Sequence, residues 1–238
     1  MEVTINPDAA LTATFSRQEY PPYKGGKWIK DIDRTYSNTC TSGFVFIANS
    51  SGLKQGSTAG HCAMNNDRIR GNYPAFDVSV GVANSNTFRA STPAFGDATL
   101  IGFTNQSDAT RYVIESTSVQ RLVTAKFANS RLVVGVALCK SGVASSTTCG
   151  SITGGYPQTR VVNYFDMDTG VLRSKTVHNM VCTNITANNG DSGGPVYQRV
   201  GTSNMKGAGL LSARSSTEMC FDPVRNIENS TGTQLWIS

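Results

Sequence analysis

An all-β protein is what this sequence predicts, on three observations. Apolar runs are short and cut by Gly, Asn and Ser, as in a chain of brief strands and tight turns. Val78, Val80 and Val82 alternate with small residues, the period of a strand with one apolar face. No amphipathic stretch of helical length stands out, although Pro223–Ile237 has room for a short helix. At 238 residues the chain can bury a sizeable core, as one β unit or two small barrels.

In order, residues 1–25 carry little periodicity and read as an N-terminal extension or arm ending in a Pro- and Gly-rich stretch. Gly43–Ala48 is the first clear strand, closed by the turn Asn49–Gly52. Strands are then expected around Val78–Val82, Asp97–Phe103 and Arg111–Ile114. A join between two halves falls near Thr117–Lys126, and Leu132–Leu138 reads as a buried strand opening the second half. Arg160–Phe165 and Val171–Val181 follow, joined by Asp168-Thr169-Gly170 as a hairpin turn. Pro195–Val200 and Ala208–Ser212 complete the set. Many short strands with regular turns make a sandwich or a barrel.

Composition excludes several classes. A hydrophobic content of 39% with only 16% charged residues argues against a disordered or long helical chain. The net charge of +5 comes from scattered basic residues, which describes a solvated surface and not a nucleic-acid groove. No apolar run reaches the length of a transmembrane helix, so no membrane partner is expected. Met1–Gly25 lacks the apolar centre of a signal peptide, so an export signal would have been removed or would lie outside this sequence. Six cysteines, Cys40, Cys62, Cys139, Cys149, Cys182 and Cys220, form no Cys-x-x-Cys pair, and the chain holds only His61 and His178. Disulfides in an oxidising compartment are therefore expected in preference to a zinc site. Their even count admits 15 full pairings. No cofactor is implied, and no dense acidic loop appears to support a calcium site.

Chemistry concentrates in Gly190-Asp191-Ser192-Gly193-Gly194-Pro195. Glycines permit positive φ and close approach, so such a turn can expose a hydroxyl and aim successive N–H groups into one small space. Acyl transfer needs that arrangement, because the oxyanion of a tetrahedral intermediate must meet preorganised donors. Chain reversal is the commoner role of such a loop, so a base is required. Thr58-Ala59-Gly60-His61-Cys62 supplies a histidine, whose ordinary pKa of about 6.5 suits proton exchange near neutrality. An acid must orient that imidazole. Asp77 follows His61 closely, leaving little room for intervening strands, whereas Asp97 opens a strand further on.

These strings resemble the nucleophile and base motifs of trypsin- and chymotrypsin-like serine proteases, and Asp97-Ala98-Thr99-Leu100-Ile101 resembles their acid motif. The order His61, Asp97, Ser192 is the chymotrypsin order. Cys40-Thr41-Ser42-Gly43-Phe44 and Cys139-Lys140-Ser141-Gly142 with Thr148–Thr153 are similar to the small secreted bacterial branch, the streptogrisin and α-lytic protease type. The resemblance covers about residues 26–238 through motifs and their order.

It implies a trypsin-like fold of two six-stranded antiparallel β-barrels with the active site in the cleft between them. Residues 26–122 would form the N-terminal barrel carrying His61 and Asp97, and 123–238 the C-terminal barrel carrying Ser192 and the specificity pocket. It implies the pairs Cys40–Cys62, Cys139–Cys149 and Cys182–Cys220, an oxyanion hole from the N–H groups of Gly190 and Ser192, and substrate binding at Ser212, Ala213 and Arg214. The middle pair also makes local sense, since closing a loop of roughly 15 residues is worth about 3 kcal/mol. Two departures stand out. Ala213-Arg214 occupies the place of two glycines in streptogrisins, so a large cation stands at the pocket entrance, pointing inward or to solvent. The approach from Cys182 to Ser192 is longer than that branch shows, and Thr186, not an Asp, precedes the nucleophile by six positions, which speaks against Lys/Arg preference.

The expectation is a secreted, monomeric serine endopeptidase acting on protein or peptide substrates, subject to a pro-segment or protein inhibitor. The alternatives are a catalytically silent or occluded binding protein on the same fold, and an esterase using the same serine.

Overall fold

The computed structural model describes residues 20–37, 39–73, 76–90 and 93–237; residues 1–19 of the expected arm lie outside them. Among the described residues the chain forms two sheets. Strands are numbered in chain order. The first sheet contains β2 (Trp28–Asp31), β3 (Thr39–Thr41), β4 (Phe46–Ala48), β5 (Lys54–Thr58), β6 (Arg68–Tyr73), β7 (Phe76–Asn84) and β8 (Thr99–Phe103), with β17 (Thr233–Leu235) on β4. The second contains β11 (Ala137–Gly142), β12 (Ser146–Phe165), β13 (Leu172–Thr183), β14 (Pro195–Val200), β15 (Asn204–Arg214) and β16 (Met219–Pro223). Strand β16 pairs with both β13 and β15, which closes these six strands into a barrel. The first sheet curls into a half-barrel. This is the trypsin-like double-barrel architecture, and among the described residues neither half contains a long helix. The short helix Val224–Thr231 falls inside the segment with room for one and ends at Gly232, whose φ of 67° suits glycine.

Sheet membership does not follow chain order at the joins. Strands β9 (Ala109–Ile114) and β10 (Gln120–Lys126) extend the second sheet, β10 running parallel to β15. Strand β1 (Tyr23–Gly25) runs parallel to β9. Residues 20–25, read from sequence as the end of an arm, are therefore built into the body. Tyr20 and Tyr23 are buried, and the Tyr23 hydroxyl donates to Ser57 O (2.8 Å) while accepting from Ser57 N–H (2.9 Å). Burial of each such aromatic is worth roughly 1.5–3 kcal/mol.

The two halves share one apolar cluster in which Phe44, Phe46 and Leu100 of the first meet Tyr197, Met205 and Leu210 of the second. They are also strapped together by the β12–β13 hairpin, whose turn includes Gly170 (φ 69°), as the sequence suggested. Near its tip Asp168 accepts from Arg34 Nη1 (2.7 Å), Tyr164 meets the Phe88 ring edge-on at 4.9 Å, and Lys175 Nζ donates to Phe88 O (2.5 Å).

Two local expectations are corrected. Val82 is exposed although Val80 is buried, because the β6–β7 register slips between Ile69 and Arg70. A bulge reverses which face each later residue presents, so Ala83 points inward instead. In Leu132–Leu138 only the end is strand. Val133 and Val134 are exposed in a turn that Gly135 completes with a φ of 91°.

Candidate active site

His61 sits in a single 3-10 turn, Gly60–Cys62, immediately after β5. Asp97 lies just before β8, the strand paired with β5, so one antiparallel pair brings the two side chains together. His61 Nδ1 lies 2.8 Å from Asp97 Oδ2, and the His61 backbone N–H donates to Asp97 Oδ1 at 2.9 Å. The Ser212 hydroxyl, from β15 of the other half, also donates to Asp97 Oδ2. Asp97 is wholly buried, and burial alone would push its carboxyl up. The His61 charge, its ring and backbone N–H groups and the Ser212 hydroxyl outweigh this and hold it below the usual carboxylate value. An ionised acid on Nδ1 leaves Nε2 as the proton acceptor, which is the state a general base needs. The imidazole edge remains accessible, the side chain being 13% exposed.

Ser192 lies on the turn before β14, half-buried. Gly193, φ 85°, packs so closely that a Cβ there would stand 2.1 Å from Thr58 Oγ1 and 2.7 Å from Ala59 N. The serine loop is thus pressed against the residues leading into His61. Strand β3 ties both: Cys40 is disulfide-bonded to Cys62, while Thr41 N–H donates to Ser192 O (2.8 Å) and Thr41 Oγ1 to Gly190 O (2.7 Å). Ser192 Oγ makes no hydrogen bond among the described residues, to His61 or otherwise; such bonds are commonly long until substrate binds. Along the loop, the N–H groups of Asp191, Gly193 and Gly194 are engaged by Asn188 O, Leu211 O and Asp191 O. Those of Gly190 and Ser192 donate to nothing among the described residues. Two donors flanking one serine hydroxyl are what an oxyanion requires.

Asp191 holds this turn from beneath. Its buried carboxylate accepts from Lys140 Nζ (2.8 Å), from Ala144 N–H (2.9 Å), Ser145 N–H (3.1 Å) and Asn188 N–H (2.9 Å), and from the Ser145 hydroxyl. Burial pushes the Asp191 carboxyl up, but the Lys140 charge and these donors bring it below its ordinary value. Lys140 and Asp191 are both fully buried. In the sequence Asp191 is visible only as part of the serine motif and Lys140 only as part of a hairpin string. A lysine next to the cysteine of a short strand that is buried apart from its first residue is the signal that it needed a buried acid.

The trypsin family model matches residues 45–220. The chain belongs to the trypsin family. Solved structures share the fold of this trypsin-family protein: Thermobifida fusca protease A is 22% identical with a TM-score of 0.63, over 89% of this chain and 97% of that one. Cellulomonas bogoriensis chymotrypsin is 22% identical with a TM-score of 0.64, over 90% and 98% of the two chains. Nocardiopsis protease is 24% identical with a TM-score of 0.60, over 89% and 97%.

The disulfides Cys40–Cys62, Cys139–Cys149 and Cys182–Cys220 all form, as the resemblance implied. Cys182 and Cys220 lie close to Glu218, but with both thiols oxidised the group offers no metal site. Among the described residues, no helix is long and apolar enough to cross a membrane. Asp77 lies on β7 opposite Asn72, and its side chain is outside the described residues. His178 is on β13, its ring nitrogen 2.8 Å from Thr159 Oγ1, and takes no part in the Asp97 pair. Thr186 is exposed, its carbonyl bonded by the Thr148 hydroxyl. Ala213 is half-buried, and the exposed Arg214 turns back to Asn189 Oδ1 through Nε (3.2 Å) and Nη2 (3.0 Å).

One further carboxyl belongs to no motif in the sequence. Asp222, fully buried at the end of β16, accepts the Asp97 N–H at 2.9 Å, while its Oδ1 has no hydrogen-bond partner. Burial pushes it up from 3.8 to about 8; the Asp97 N–H and the Asn226 side chain oppose this, and the Asp97 charge adds to it. Below that value it is neutral when folded, so it sets no second charge beside Asp97. The unfolded chain ionises it from its ordinary value upward, so between the two pKa values the folded state holds the extra proton. Stability therefore falls as pH rises through that window, by about 1.4 kcal/mol per unit, and levels above it. Asp222→Asn removes this slope. Urea denaturation should find the variant gaining on the unaltered chain from about pH 5 to about pH 8; an equal difference at both would contradict a neutral Asp222.

Proposed function

We propose that this trypsin-family protein is a serine endopeptidase acting through Ser192, His61 and Asp97. The observation that carries the reading is a buried, ionised Asp97 bonded to both His61 Nδ1 and His61 N–H, with the loop of Ser192 and its two unengaged N–H groups packed on Thr58 and Ala59 just before that histidine. Ser192 Oγ attacks the scissile carbonyl as His61 Nε2 takes its proton. The oxyanion is met by the N–H groups of Gly190 and Ser192. His61, now charged against Asp97, returns the proton to the leaving amine, and an acyl-enzyme remains. Water repeats the sequence and frees Ser192. Each oxyanion donor is worth about 2.7–4 kcal/mol in the transition state.

Substrate would lie extended along the end of β15, Ser212–Arg214, pairing through its backbone. Three disulfides suit a protein that works in an oxidising, extracellular setting. The test is pre-steady-state hydrolysis of an activated peptide ester. A burst of leaving group equal to the protein present is expected, and His61→Ala should abolish it. A linear time course with no burst, or a burst that survives His61→Ala, would count against the acyl-enzyme route.

A further inference from the structure

Arg214 and Asn189 join two segments that lead to the Ser192 site. One is the end of β15, where Ser212 bonds Asp97 and Ala213 pairs with Cys220 of β16. The other is the loop Asn184–Gly190, which leaves β13 at the Cys182–Cys220 disulfide and runs into Ser192. The guanidinium donates two N–H groups to Asn189 Oδ1. Asn189 immediately precedes Gly190, one of the two unengaged donors. With its oxygen at the Gly190 N–H, a scissile carbonyl would carry the side chain of its own residue toward the adjoining Asn189–Arg214 pair.

The charges around this rim are unequal. Asp97 is buried against His61, and Asp191 against Lys140. Glu218, on the turn after Arg214, is taken by Arg160 through Nε (2.8 Å) and Nη2 (3.2 Å). Among the described residues Arg214 makes no salt bridge; its side chain bonds only the neutral oxygen of Asn189. A guanidinium offers a planar fork matched to a carboxylate, and charge-assisted bonds are roughly twice as strong as neutral ones. An incoming carboxylate can take the two N–H groups from Asn189 and improve on them. A neutral side chain must either leave the clasp shut or open it without replacement.

We infer that Arg214 is a specificity-determining residue that selects Asp or Glu at the substrate residue contributing the scissile carbonyl, with Asn189 holding the guanidinium in place until that carboxylate arrives. This rests on the endopeptidase reading and deepens it. The Asn189 clasp also restrains the arginine, so less side-chain freedom is lost on binding than for a loose surface arginine.

The experiment compares two peptide series identical except for Glu or its isostere Gln at that residue. The ratio of kcat/KM is read within each protein, so the fraction of active enzyme cancels. The unaltered chain should favour Glu by at least about 10-fold. In Arg214→Ala the ratio should fall to about one, and in Asn189→Ala it should shrink while remaining above one, because the fork survives but is no longer held. A Gln-preferring or indifferent unaltered chain would overturn the inference while leaving the endopeptidase intact, as would a Glu preference that persists in Arg214→Ala. Failure to hydrolyse either series, or any peptide with another residue there, would overturn the endopeptidase reading and this inference with it.

Discussion

Asp97→Asn should lower kcat by roughly 10⁴-fold with little change in KM. The substitution is nearly isosteric, and an amide oxygen can still accept the His61 N–H that Asp97 Oδ1 accepts now. What fails is the second contact. The amide NH₂ facing Nδ1 favours the tautomer with its proton on Nε2, so the nitrogen facing Ser192 becomes a donor instead of an acceptor. The imidazolium formed in the transition state also loses its counter-charge. A pH–rate profile should show activity recovering at alkaline pH, where hydroxide can bypass the base. A loss under 10-fold across the profile would mean that Asp97 only shapes the fold.

Lys140→Met should cost about 3–5 kcal/mol of stability, because it leaves the Asp191 carboxylate buried without its cation. The same change loosens the turn that orients Gly190 and Ser192, since Asp191 also receives the Ala144, Ser145 and Asn188 N–H groups. Denaturant midpoints and kcat should fall together. The double variant Lys140→Met with Asp191→Asn removes both charges and should regain most of the stability, but not the catalytic rate. No recovery in the double variant would place the loss in packing and not in the unpaired charge. Because the Asp191 carboxyl is held below its ordinary value, its contribution is present above that value and lost as pH falls through the folded pKa.

Much of this site could be read from sequence because it is carried by contiguous strings. Gly190–Pro195 and Thr58–Cys62 each encode a local backbone shape, and the strand opened by Asp97 lies where pairing with the strand before His61 can unite them. The three disulfides followed from the resemblance and not from the residues alone. What stayed hidden depends on contacts between distant segments. Lys140 meets Asp191 only because β11 passes beneath the serine turn, and Asp222 meets Asp97 only because β16 closes the second barrel against the first half. The outward face of Val82 reflects a one-residue slip against β6, to which strand periodicity is blind. Tyr20 and Tyr23 belong to a stretch with no periodicity, and their burial comes from the parallel pairing of β1 with β9. Arg214 could be seen to be unusual, but its direction was set by Asn189 across the loop.

The most direct measurement is active-site titration with a fluorophosphonate, run in parallel on the unaltered protein with its disulfides intact and on Ser192→Ala. The account predicts one covalent adduct per chain, mapped to Ser192, and none in the variant. Folded, oxidised protein that takes up no label, or that is labelled equally in Ser192→Ala, would contradict an activated Ser192.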